Sequence, residues 1–68
     1  MNLELLKETR KKRKVTQADM AKSLGYSGKA GYCFLESGKI KVTIEQSKQI
    51  KNILNLTDEE YRLIFLVD

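Results

Sequence analysis

The sequence predicts an all-α fold, and three observations predict it. The chain has no proline and only four glycines, so little in it interrupts a helix. Its apolar residues recur at three- and four-residue spacings and nowhere alternate over the length of a strand. Asn, Thr or Ser stands ahead of each apolar stretch, where its side chain can accept from an N–H of the first turn. With 68 residues, 41% of them hydrophobic, the chain suffices for one compact domain spanning 1–68 and is too short for two. A domain of this size buries only about 60% of its unfolded surface, so modest stability is expected and a partner subunit would help.

The first helix is expected to run to about Arg13, capped by Asn2, with Leu3 and Leu6 inward and Arg10 one turn beyond Leu6 on the same side. Arg10-Lys11-Lys12-Arg13-Lys14 falls in its last turn, where cations complement the negative helix end. A short second helix follows Thr16, with Met20, Ala21 and Leu24 inward and Asp19 in the first turn. Gly25 then supplies a positive φ that ends it.

Ser27 is the expected N-cap of a third helix that ends near Glu36 or Ser37, with Gly38 as terminator. At about 100° per residue, Tyr32 and Leu35 share its inward side, leaving Ala30, Cys33, Phe34 and Ser37 outward and Lys29 at the border. Gly31 inside this helix costs about 1 kcal/mol relative to alanine on propensity alone. Lys39-Ile40-Lys41-Val42 makes a basic connector. Thr43 and Gln46 have the spacing of a capping box for a fourth helix carrying Ile44, Ile50, Ile53 and Leu54 inward, closed by Asn55 in left-handed geometry. Thr57, Asp58, Glu59 and Glu60 open a last helix through Tyr61, Leu63, Ile64, Phe65, Leu66 and Val67. Five helices are therefore expected.

Net charge is +4 and unevenly spread. Residues 1–41 hold ten Lys or Arg against four acids, and residues 42–68 hold three against five. The basic end suits a polyanion bound by one side of the domain, although charge alone describes a solvated surface equally well. The single cysteine has no second cysteine and no histidine with which to share a metal, which excludes structural zinc. No apolar stretch approaches the roughly 18 residues of a membrane span, and the amino-terminal segment is amphipathic, so a cytoplasmic location is expected. With no histidine, no glycine-rich phosphate loop and no base near Cys33, neither enzyme activity nor a cofactor is expected.

The stretch TQADMAKSLGYS followed by LESGK resembles the helix-turn-helix of the phage repressor and Cro family, an XRE-like DNA-binding family. Matching features are Gln17 opening helix two, Ala21 at its middle, Gly25 in the turn, Leu35 near the end of helix three and the Glu36-x-Gly38 closure. The resemblance implies a compact five-helix lambda-repressor-like domain with the motif at helices two and three. Ala21 would let the two helices cross closely and Gly25 would permit the sharp reversal. Members commonly pair an arginine of helix one with the glutamate that ends helix three, so Arg10 and Glu36 are expected to form a largely buried ion pair. The turn Gly25-Tyr26-Ser27-Gly28 is one residue longer than in the best-known phage repressors, and Tyr32 stands where an aliphatic is usual.

The function implied is sequence-specific binding of double-stranded DNA by a transcriptional regulator, most simply a repressor. Family geometry puts the amino-terminal part of helix three deepest in the major groove, which makes Lys29 and Ala30 the first base-reading candidates, then Cys33 and Phe34. Lys29 could donate to guanine, and Ala30 or Phe34 could cover a thymine methyl. Backbone phosphates would be held by Gln17, Ser27, Lys39 and Lys41, with Lys14 beside them, while Lys11, Lys12 and Arg13 add only long-range attraction. The last helix is apolar around more of its circumference than one core stripe requires, so Leu63, Leu66 and Val67 are expected to build a homodimer on a palindromic operator. Other readings are a controller of a restriction system or toxin–antitoxin operon, or a protein-interaction module on the same fold.

Overall fold

The computed structural model describes residues 1–66 and contains five helices: α1 (Leu3–Lys12), α2 (Gln17–Ser23), α3 (Lys29–Glu36), α4 (Ile44–Leu54) and α5 (Asp58–Phe65). No strand occurs among the described residues. Each start except that of α3 is fixed by a side chain. The Asn2 side chain accepts from the Leu5 N–H at 3.0 Å, and Thr43–Gln46 and Thr57–Glu60 form reciprocal capping boxes. Thr16 and Asp19 form a third box, so Asp19 acts there as a cap and not only as a favourable charge in the first turn. Ser27 does not cap α3: Gly28 takes that place in an extended conformation, without a side-chain hydrogen bond. The longer turn has carried the chain one residue further before α3 begins, so Ser27 lies just outside the helix.

The first four helices end in the same way. In each, a residue of left-handed conformation follows, and its successor's N–H reaches back five residues to a carbonyl of the last turn. Gly25 (φ 84°) and Gly38 (φ 83°) take this geometry without steric cost, and Asn55 (φ 53°) takes it at little. At the end of α1 the position falls to Lys14 (φ 60°), because the helix stops at Lys12 with Arg13 as its cap. The Val15 N–H then bonds to the Arg10 carbonyl at 3.2 Å.

α2 packs chiefly on α3; α1 lies against α5 and α3, and α4 against α2. Every helix sends at least one side chain into the core of Leu6, Met20, Ala21, Tyr32, Leu35, Ile50, Leu54, Leu56 and Ile64. Leu56 comes from the short link after α4, where periodicity gives no signal. The placement of Ile44 inward is corrected: it is 75% exposed. The buried stripe of α4 is Ser47, Ile50 and Leu54, and Ile44 lies about 120° round the helix from Ile50. Ser47 instead joins α4 to α5, sharing a 2.7 Å hydrogen bond with the Tyr61 hydroxyl. The Asn2 N–H closes the α1–α5 side by donating to the Ile64 carbonyl at 2.7 Å.

Candidate nucleic-acid interface

α3 is held by its inner face. Tyr32 and Leu35 are fully buried, whereas Lys29, Ala30 and Phe34 face solvent and Cys33 is half-buried. The four residues expected to read bases thus share the uncovered side of one short helix, which is raised on α2 by the small, buried Ala21. Phe34 does not fold back over the core: it is 45% exposed, and the Lys39 ammonium stands 5.4 Å from its ring centre.

The carboxyl end of α3 is tied to α1 and α2 by one cluster. Arg10 donates through Nε to Glu36 Oε2 at 2.9 Å and through Nη2 to Glu36 Oε1 at 3.1 Å. Its Nη1 reaches the Val15 carbonyl at 2.8 Å, so the guanidinium also fixes the turn between α1 and α2. The pair's side chains are 8% and 4% exposed, respectively. Burial alone would raise the Glu36 carboxyl, but hydrogen bonds and the charge of Arg10 outweigh it and hold the group below the ordinary glutamate range. The Tyr32 hydroxyl lies close enough to both charges to feel them yet makes no hydrogen bond of good geometry, and burial pushes its titration far upward.

Gln17 is drawn into the same cluster. Its amide Nε2 donates to Glu36 Oε1 at 3.3 Å, leaving the residue half-buried rather than projecting freely. Gln17 also lines an open groove with Arg10, Lys11, Lys14, Val15, Thr16, Ala18 and Lys29. The groove therefore joins the end of α1 and the starts of α2 and α3. Two of the basic residues expected to act only at long range are placed more closely. Lys11, credited only with long-range attraction, stands in the groove wall. Arg13 instead turns to α5, where its Nη2 meets Glu60 Oε1 at 2.8 Å. Bonds from the Thr57 backbone and then from Arg13 keep that carboxyl below its usual range. This tether spans 47 positions of sequence and leaves no local signature. Ser27, Lys39 and Lys41 are exposed on the turn and connector that flank α3.

Lys14 combines a strained backbone with a place in the groove. A lysine in left-handed conformation costs about 1 kcal/mol or more relative to glycine. Lys14→Gly is therefore expected to raise the melting temperature and, on a Lys14 contact with a phosphate, to weaken binding to every DNA sequence. If Lys14 neutralises one phosphate, the variant also flattens the slope of log affinity against log salt by about 0.9. A rise in stability with unchanged affinity would remove Lys14 from the phosphate set.

No helix among the described residues is long and apolar enough to cross a membrane, and their Cys, Asp and Glu side chains gather into no group of three or more that could hold a metal ion. Comparison with curated proteins and with solved structures finds no match. A family profile described as helix-turn-helix matches residues 6–61, which takes in the whole of α2, the turn and α3. The chain belongs to the XRE-type helix-turn-helix family of DNA-binding transcription regulators.

Proposed function

We propose that this protein is a sequence-specific repressor that binds a palindromic operator as a homodimer in the cytoplasm, as a single domain and without catalytic activity or a cofactor. The observation that carries the reading is the division of α3: two large side chains fully buried on one side, and Lys29, Ala30 and Phe34 open on the other. In this reading Lys29 and Ala30 meet base edges first, then Cys33 and Phe34, with few hydrogen-bonding groups among them. Methyl contacts, DNA shape and bridging water then share the discrimination. Gln17, Ser27, Lys39, Lys41 and Lys14 grip phosphates on either side. Selection of bound duplexes from a random pool tests this directly. A recovered palindrome reports specificity and symmetry together, and failure to bind any duplex at low salt would end the reading.

Dimerisation is supported by apolar surface that the fold leaves open. Leu63 is 46% exposed and Leu66 65% exposed; Val67, the third residue expected at the interface, lies outside the described residues. Leu66 also borders a groove lined by Ile40, Val42, Ile44 and Phe65. A two-fold dimer would cover this surface and set two copies of α3 about 34 Å apart, one turn of duplex. Leu66→Lys is then expected to leave the fold intact and shift sedimentation at micromolar concentration from dimer to monomer. A wild-type protein that sediments as a monomer, with or without duplex, would remove the interface.

A further inference from the structure

We propose that Glu36 is a positioning residue for Gln17, so that the ion pair locking α3 to α1 also sets the orientation in which Gln17 meets a DNA phosphate; this rests on the DNA-binding reading above. An ionised carboxylate can only accept hydrogen bonds. Facing Glu36 Oε1 at 3.3 Å, the Gln17 amide must therefore turn its nitrogen inward. The same oxygen accepts from Arg10 Nη2 at 3.1 Å, and the Arg10 charge helps to keep the carboxyl ionised. One amide N–H is spent inside the cluster. The other stays available to an anion in the groove whose walls include Lys11, Lys14 and Lys29. The occupant that suits one directed donor among several ammonium groups is a backbone phosphate. Without Glu36's charge the amide loses its fixed sense and can present its oxygen to the phosphate instead.

Charge and positioning predict opposite signs, which makes the test decisive. Removing a negative group beside a polyanion site should strengthen binding if Glu36 acts through charge alone. The positioning role predicts that Glu36→Gln weakens binding about tenfold, the size of one lost hydrogen bond to a charged group. Gln17→Ala should weaken the wild type by a similar factor and have almost no further effect once Glu36 is changed. The probe is a short duplex of random sequence at low ionic strength, because a phosphate contact does not depend on base identity. Folding of each variant is followed by circular dichroism. Should Glu36→Gln fail to fold, the compensated pair Arg10→Met with Glu36→Leu supplies the background, and Gln17→Ala must then be silent in it. Tighter binding by Glu36→Gln, or additive losses in the cycle, would overturn the positioning role and leave the DNA-binding reading standing. A wild type that binds no duplex would take both away.

Discussion

Arg10→Ala is expected to lower the unfolding free energy by about 3–5 kcal/mol, a large part of the total stability available to so small a domain. The cost comes less from the lost attraction than from what remains. The Glu36 side chain is 4% exposed, and without Arg10 its charge is left with the 3.3 Å bond from Gln17 and the nearby Tyr32 hydroxyl. The Val15 carbonyl loses its donor as well. At roughly 4–8 °C per kcal/mol for a domain of this length, the thermal midpoint at neutral pH should fall by some tens of degrees. An unchanged midpoint would show that water reaches the pair and screens it. Replacing both partners, Arg10→Met with Glu36→Leu, should recover most of the loss, because two apolar side chains leave nothing charged to desolvate.

Acid should reproduce part of the same effect. The folded Glu36 carboxyl titrates below its ordinary value, so the folded state binds its proton less readily than the unfolded chain does. Its contribution is fully present above the unfolded carboxyl range near 4.3 and is lost as pH falls through the lower folded value. Glu60, Asp19 and Asp58 are shifted the same way, but Asp19 and Asp58 are exposed and the Glu60 side chain is still 33% open to solvent, so screening keeps their share small. The acid limb of stability should therefore be shallower in the Arg10→Met, Glu36→Leu variant than in the wild type. Equal acid limbs in the two proteins would contradict the dominance of Glu36.

Gly31→Ala is expected to destabilise the protein by about 1–3 kcal/mol, the reverse of what helix propensity alone predicts for an exchange worth about 1 kcal/mol in alanine's favour. A Cβ at residue 31 would stand 2.8 Å from Tyr26 Cδ1, 2.9 Å from its Cγ and 3.1 Å from its Cβ. Cβ and Cγ lie on the axis about which the ring turns, so a ring rotation that moves Cδ1 does not clear them. The far end is held too, since the Tyr26 hydroxyl accepts from Gln46 Nε2 at 2.9 Å. The glycine is therefore the place where α3 admits the ring that braces the turn against α4. In a Tyr26→Ala background the same Gly31→Ala change should turn neutral or stabilising. Denaturant midpoints of the four proteins check this, and a Gly31→Ala gain in the wild-type background would show that the ring yields.

The two expected results stand at opposite ends of what a sequence makes legible. Helix number and type, the capping boxes at Thr43 and Thr57, and the left-handed ends at Gly25, Gly38 and Asn55 depend on residues within one turn of each other, and the structure has them where the sequence put them. The inward side of α3 was equally legible, because Tyr32 and Leu35 lie three positions apart. Ser27 and Ile44 were misplaced for a shared reason. A cap depends on which residue the turn delivers to the helix start, and a first-turn isoleucine counts as core only if a neighbour covers it.

By itself, the sequence determined the helices, their polarity and the basic end of the chain, since propensity, capping and charge are local quantities summed along it. Only the tertiary structure decided that Glu36, whose pairing with Arg10 the family resemblance already implied, also holds Gln17, that Arg13 spends its charge on Glu60, and that Gly31 makes room for Tyr26. Those relations join residues between five and 47 positions apart. Their energies depend on distance and burial, which packing sets and no local pattern of residues records.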